Sequence, residues 1–387
     1  VRETPVLSTR TLSERAGTTV ALKAENLQRT GSFKLRGALA KLASLDSEAC
    51  TRGVVCGSAG NHAQAVAYSA RARQVPCEVF MPVSAPIAKV EAATALGASV
   101  RLTGETVDEC LRAAHERAAS GGMAFIHPFD DAEVIAGQGS VGLELLEQVP
   151  DLARVVVPVG GGGLLSGIAV AVKAARPEVT LVGVQVEACA PFQASLAAGE
   201  VVPYEAQQAT IADGIAVKRP GELTLRHIEA LVDEMVVVDE DGTAEAMVLL
   251  LERAKLVVEG AGAVGVAALL AGRLEPVAGT TAIVLSGGNV DAGLLAEVAR
   301  HNETQARRRL IVRTSVPDRP GALVALLSLI ASSGANVVDV QHLREGLDLH
   351  VRETAVQLVI GTRGPEHAAA VVESLRSAGY AHPDPVS

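Results

Sequence analysis

The sequence predicts an α/β protein with two open, mostly parallel α/β subdomains, followed by a smaller α+β domain. Three observations predict it. From Gly53 to Leu285 short β-rich runs alternate with longer helical patterns, and such alternation implies crossover units and parallel pairing. The runs VVVPV (Val155 to Val159) and AIVLS (Ala282 to Ser286) are almost wholly apolar, as strands covered on both faces must be. After Arg300 the order of elements changes, which marks a second domain.

The elements follow in order. Leu35 to Leu42 reads as a helix entered from TGSFK. VVCGS leads into a helix at Asn61, and CEVFMP into a helix over Ala88 to Leu96. ARVVVPV precedes a helix from Leu164 to Ala175, TLVGVQVE one from Phe192 to Ala198, and TTAIVLSGG one from Asp291 to Arg300. The polar run HNETQARRR has the composition of a linker. Beyond it come a strand (Arg309 to Val316), a turn (PDRPG), a helix (Ala322 to Ser332), two strands (Asn336 to His342 and His350 to Ile360) and a helix (Pro365 to Ala378). That is β-α-β-β-α, one strand short of a ferredoxin-like unit. The expected domains are 1–305, with a smaller subdomain at about 37–140 inserted in a larger one, and 306–387.

Composition narrows the function. With 387 residues and 49% hydrophobic content, the chain has enough apolar material for more than one core. Its formal charge is -10 and aromatics make up 2%, so it offers neither a broad phosphate-neutralising surface nor a base-stacking platform, and nucleic acid is not the expected partner. Arg307-Arg308-Arg309 is too short a basic run to change that. The five cysteines lack C-x-x-C spacing, which fits a reducing cytoplasm better than a disulfide framework or a zinc site. No apolar stretch has membrane-spanning length, and no signal-peptide order opens the chain.

Two glycine-rich segments carry the first chemical signal. GSAGN (Gly57 to Asn61) and VGGGGLLSG (Val159 to Gly167) each follow an apolar strand and open a helix. Open α/β sheets bind ligands at the carboxyl ends of their strands, and bare N–H groups at a helix N-terminus receive a phosphate or carboxylate. Each glycine costs about 1 kcal/mol of order in a regular element, so four in a row call for a reason. A dinucleotide site competes for them, because Gly161, Gly163 and Ser166 approach G-x-G-x-x-G/A, and Glu187 stands where a ribose-binding acid would. Lys34 favours another reading. Taken alone it is a solvated surface lysine; beside two anion cradles it becomes an amine that forms a Schiff base with pyridoxal 5'-phosphate.

SFKLRGA around Lys34, SAGNHAQ (Ser58 to Gln64), VGGGGL (Val159 to Leu164), ADGIAVKRPG (Ala212 to Gly221), EGAGA (Glu259 to Ala263) and SGGN (Ser286 to Asn289) occur in that order, within a resemblance that covers about Thr4 to Arg300. Together they resemble the threonine dehydratase (threonine ammonia-lyase) branch of fold-type II pyridoxal-phosphate enzymes, in a catabolic-like form. The resemblance implies elimination of water and ammonia from L-threonine, with side activity on L-serine. It implies Lys34, preceded by Phe33, as the Schiff-base lysine and α-proton base, and Asn61 as hydrogen-bonded to the cofactor's phenolic oxygen. Gly160, Gly161, Gly162, Gly163 and Leu164 would form the phosphate cradle, and Ser286 would partner the pyridine nitrogen. Ser58, Ala59, Gly60, Asn61 and His62 would form the loop for the substrate carboxylate.

Two departures sharpen the resemblance. Ala59 occupies the place of the second acid/base serine of the related serine racemases, so racemisation should be poor. Gln193 replaces a carboxylate of the racemase cation site that starts at Glu187, and a neutral ligand weakens a hard-cation site; no metal residue is expected. His127 reads as a strand-end hydrogen bonder, and Asp213-Gly214 with Lys218-Arg219-Pro220 as a loop over the site. The alternatives are a serine or hydroxyaspartate racemase/dehydratase and a non-catalytic amino-acid sensor. An oxidoreductase comes last, since it leaves Lys34 and SGGN unexplained.

Residues 309 to 380 resemble an ACT domain, the small amino-acid-sensing module, through PDRPGAL (Pro317 to Leu323) after an apolar strand. The resemblance implies an effector amino acid, isoleucine or valine, held at Gly321 and Asn336. Edge-to-edge pairing of such modules implies a homo-oligomer, a dimer or tetramer.

Overall fold

The computed structural model describes residues 1–205, 209–343 and 352–380. The chain divides into two compact units, Val1–Asp291 and Ala292–Ser387. The division falls before the expected 305/306 because the polar run continues a helix, Ala292–Gln305, that packs on the first strand of the second unit. HNETQARRR is therefore mostly helix rather than linker.

Among its described residues the first unit holds ten strands: β1 (Val6–Ser8), β2 (Thr19–Ala24), β3 (Val54–Gly57), β4 (Cys77–Met81), β5 (Ser99–Leu102), β6 (Ala124–Phe125), β7 (Leu152–Pro158), β8 (Thr180–Val186), β9 (Glu234–Val238) and β10 (Thr280–Leu285). One sheet runs β1-β2-β10-β7-β8-β9 and the other β5-β4-β3-β6. Only the short β1 is antiparallel to its neighbour. β3, β4, β7, β8 and β10, the strands with the purest apolar runs, are legible in the sequence; the other five are short or mixed, such as β2 (TVALKA) with Lys23 inside it.

Strand order positions the site. β10 lies between β2 and β7 and runs parallel to both, so the segments after β2, β7 and β10 leave the sheet at one edge. Each has a sequence reason to turn there: Glu25–Leu27 forms a short 3-10 turn, Gly162 adopts φ 92°, and Ser286-Gly287-Gly288 follows the last apolar residue of β10. The sheet core behind them is aliphatic. Val155 and Val157 of β7 and Ala282 and Val284 of β10 meet Leu165, Ile168 and Val172 of helix Gly163–Ala175, all fully buried; each such Val, Leu or Ile contributes about 1.5–3 kcal/mol.

A buried charge network fixes the helix that begins at Lys34. Arg36, 2% exposed, donates to both oxygens of Glu25 at 2.8 Å, and to Glu144 at 2.6 and 2.8 Å. Lys23 Nζ closes the network on Glu144 at 2.5 Å and the Thr4 carbonyl at 2.8 Å. Two cations face two carboxylates, so the cluster is neutral as well as hydrogen-bonded, the condition under which buried charge is tolerated.

The second unit contains β11 (Arg309–Pro317), β12 (Asn336–Leu343) and β13 (Glu353–Gly361), antiparallel in the order β11-β13-β12. Helices Ala322–Ser332 and Pro365–Ser377 pack on it through Leu326, Ile330, Val371 and Leu375. This is the expected β-α-β-β-α order; His350 and Val351, at the start of the expected strand, lie outside the described residues.

Candidate active site

Lys34 is the first residue of helix Lys34–Ser44. The approach to it is stitched to the end of β10: Phe33 N–H donates to the Ser286 carbonyl at 3.0 Å, Gly288 N–H donates to the Gly31 carbonyl at 2.9 Å, and Ser32 bridges Gly287. A Cβ on Gly31 or Gly287 would meet the side-chain ends of Asn289 or Glu259 respectively at 2.3 Å, and Gly31 also adopts φ 72°, the left-handed region that favours glycine. Lys34 Nζ donates to the Pro128 carbonyl at 2.8 Å and lies 5.1 Å from the centre of the Phe33 ring. Burial lowers its pKa to about 8, opposed by the negative charge of Glu259.

The glycine loop meets this lysine through the segment after β6. Phe129, next to Pro128, packs its ring against Gly161 and its backbone against Gly163. Gly160 faces Ile215 and Val217 so closely that a Cβ would stand 3.0 Å from Ile215 Cα. These three glycines thus have a packing reason of their own. The backbone N–H groups of Gly160 to Leu164 donate to no carbonyl among the described residues, as expected at a helix N-terminus. Lys34 and the glycine loop are therefore connected through two consecutive residues, Pro128 and Phe129.

The second glycine segment opens helix Asn61–Ala72, with Gly60 as its N-cap and the Ser58 hydroxyl accepting from Gly60 N–H at 3.2 Å. Asn61 Nδ2 donates to Glu259 Oε1 at 2.7 Å, and Asn61 Oδ1 accepts from Asn289 Nδ2 at 2.7 Å. Ser58, Ala59 and Gly60 are partly exposed. His62 is not: its imidazole is buried against the Ile126 carbonyl, 2.9 Å from Nε2, and burial followed by the positive charge of Lys34 pushes its pKa down to about 3. Only its main chain remains available to the loop. His127 has the structural role expected of it, its Nδ1 accepting from the N–H groups of Phe129 and Asp130 at 3.2 and 2.7 Å.

Glu259 and Asn289 escape the sequence reading as site residues, although EGAGA and SGGN contain them. Glu259 is 5% exposed, and burial, reinforced by the nearby Asp213 carboxylate, raises its pKa to about 7. The available signal was an acid directly before a helix, Gly260–Leu270, in which no residue is charged. Ser286, 3% exposed, follows β10, and its hydroxyl makes no hydrogen bond among the described residues. In the second unit, Gly321 caps helix Ala322–Ser332 at φ 88° and Asn336 starts β12, both exposed.

Residues 1–287 match the family model described as pyridoxal-phosphate dependent enzyme, and residues 310–377 match the ACT domain. An L-threonine ammonia-lyase of Thermotoga maritima is 45% identical over 98% of this chain and 94% of its own. A catabolic L-threonine dehydratase of Escherichia coli is 43% identical over 74% and 87%. Among solved structures, processed threonine deaminase isoform 2 of Solanum lycopersicum superposes with TM-score 0.73 at 36% identity, covering 77% of this chain and 87% of that one. Maize serine racemase superposes with TM-score 0.72 at 35% identity, covering 79% and 94%. The chain belongs to the family of pyridoxal-phosphate dependent enzymes and carries an ACT domain C-terminal to the matched region in sequence.

Proposed function

We propose that the protein is an L-threonine ammonia-lyase that converts L-threonine to 2-oxobutyrate and ammonia, with side activity on L-serine. The observation that carries the reading is the desolvated Lys34 amine, held on the Pro128 carbonyl beside the Phe129 that packs on the glycine loop. The Thermotoga and Geobacter relatives, both called L-threonine ammonia-lyase and each aligned over 98% of this chain, support the substrate.

The residues present fit pyridoxal phosphate. The free N–H groups of Gly160 to Leu164 suit its phosphate, the unpaired Ser286 hydroxyl suits its ring nitrogen, and Asn61 Nδ2 keeps a second hydrogen for its phenolic oxygen. When bound, the cofactor supplies the electron sink that makes an amino acid's α-proton acidic. Lys34, with its pKa lowered to about 8, offers more free amine near neutrality than an exposed lysine and is the group to take that proton at Cα. Ser286 donates a neutral hydrogen bond, which leaves the ring nitrogen less positive than a carboxylate partner would. Ser58 to Asn61, at the start of a helix, orient the substrate carboxylate. Ala59 bears no hydroxyl that could protonate the opposite face of Cα, which favours elimination over the racemase alternative suggested by the maize neighbour.

The ACT unit is read as a binding site for isoleucine or valine near Gly321 and Asn336, in a cytoplasmic homo-oligomer. Titration calorimetry with each branched-chain amino acid tests the effector.

The reading itself is tested by incubating wild type and Lys34→Ala with pyridoxal phosphate and L-threonine, then assaying 2-oxobutyrate and ammonia. Equal amounts of both from wild type, and neither from the variant, are expected. D-serine formed from L-serine without keto acid would overturn it in favour of a racemase.

A further inference from the structure

We propose that Thr224 is a positioning residue for the phosphate cradle: its hydroxyl anchors the Gly161 carbonyl and thereby fixes where the Gly162 N–H points. The proposal rests on the reading of Gly160 to Leu164 as that cradle.

The structural problem is conformational freedom. Four consecutive glycines lack the steric walls that choose a backbone orientation in other residues, and a cradle works only if its N–H groups all face the anion. In a trans peptide the C=O and the following N–H point in opposite directions. A rotation of the Gly161–Gly162 peptide would therefore replace a donor in the cradle with a carbonyl oxygen, which repels a phosphate.

Thr224 blocks that rotation. It is fully buried, and its Oγ1 lies 2.7 Å from the Gly161 carbonyl oxygen. A hydroxyl has one hydrogen. The other acceptor within reach, the Gly221 carbonyl, is farther at 3.2 Å, while Gly221 N–H donates to the same Oγ1 at 3.2 Å. The hydroxyl is thus held as an acceptor on one side and spends its hydrogen on Gly161. The fit is close: a Cβ on Gly162 would lie 2.9 Å from Thr224 Cβ.

Thr224 is itself fixed from the lysine side. Asp130 accepts from the N–H groups of Glu222, Leu223 and Thr224 at 3.1, 3.0 and 3.1 Å, locking the start of helix Glu222–Leu231. Asp130 stands two residues after Pro128, whose carbonyl holds Lys34. One segment therefore sets both the amine and, through Thr224, the cradle.

The test compares binding of pyridoxal phosphate and of pyridoxal, which lacks the phosphate, to the apo-protein by visible absorption. Thr224→Val keeps the shape and removes the hydroxyl; Thr224→Ser keeps the hydroxyl. The valine variant should weaken pyridoxal phosphate by about tenfold or more, equivalent to about 1.4 kcal/mol, and leave pyridoxal nearly unchanged, while the serine variant stays close to wild type. Should the valine variant not fold, Thr224→Cys, with only a weak donor, gives the same comparison. Equal weakening of both ligands, or of neither, would overturn the role of Thr224. A wild type that binds both ligands equally would instead reject the cradle, a result distinct from failure of the Thr224 proposal.

Discussion

Asn61 and Glu259 stand 198 positions apart in the chain, yet the Asn61 amide donates to the Glu259 carboxylate at 2.7 Å. Asn289 holds the other end of the same amide, so the orientation of Asn61 is fixed before any ligand arrives. The carboxylate also acts on Lys34, whose pKa it raises against the larger lowering effect of burial.

That relationship sets a pH dependence. On the proposed Schiff-base role of Lys34, its neutral amine is the form that reacts with the cofactor's aldehyde, so uptake of pyridoxal phosphate by the apo-protein should accelerate as pH rises through about 8 and then level off. Glu259, with a pKa raised to about 7, is largely ionised in that range. Glu259→Gln preserves an acceptor for Asn61 and removes the charge, so the uptake curve should move to lower pH. Stopped-flow absorbance of both proteins from pH 6 to 9.5 measures the shift; an unmoved curve would separate Glu259 from the lysine.

Gly161→Ala should drive a methyl group into the Phe129 ring. The expected result is loss of cofactor retention by about tenfold or more, as a displacement of under an ångström in a positioned site can be that costly. Phe129→Ala in the same chain should recover part of the loss. A double-mutant cycle on cofactor affinity reads that coupling, and strict additivity would contradict the contact.

Arg36→Met should destabilise the first unit by about 3–5 kcal/mol, because it leaves the buried Glu25 without its bidentate partner. Urea unfolding followed by circular dichroism measures this. A loss below about 1 kcal/mol, the range of an exposed pair, would mean that the network relaxes around the gap.

His62 makes the fold sensitive to acid. Its folded pKa is depressed from 6.5 to about 3, so the stability it confers is present above about 6.5 and is lost as pH falls towards 3. In that window stability should fall by about 1.4 kcal/mol per pH unit on this account alone. His62→Gln should flatten the slope between pH 6.5 and 5 whatever it does to stability at pH 7, and urea midpoints at several pH values check it.

The sequence by itself determined the α/β alternation, the two glycine-opened helices, the lysine at a helix start and the β-α-β-β-α order of the second unit. These are local properties: an apolar run of strand length, a glycine at a turn and a change of period are each legible within about ten residues. The polar residues of HNETQARRR misled that reading, since composition alone does not distinguish an exposed helix from a linker. The tertiary structure decided what stands around Lys34. Pro128 offers only a carbonyl oxygen, Thr224 contributes one hydroxyl, and Asn61 after β3, Glu259 before helix Gly260–Leu270 and Asn289 after β10 meet from segments of two different sheets and a helix start. Strand order is a long-range outcome of packing, and so are the environments around these residues: the same lysine is an ordinary exposed cation in an extended chain and a desolvated amine with a lowered pKa in the fold.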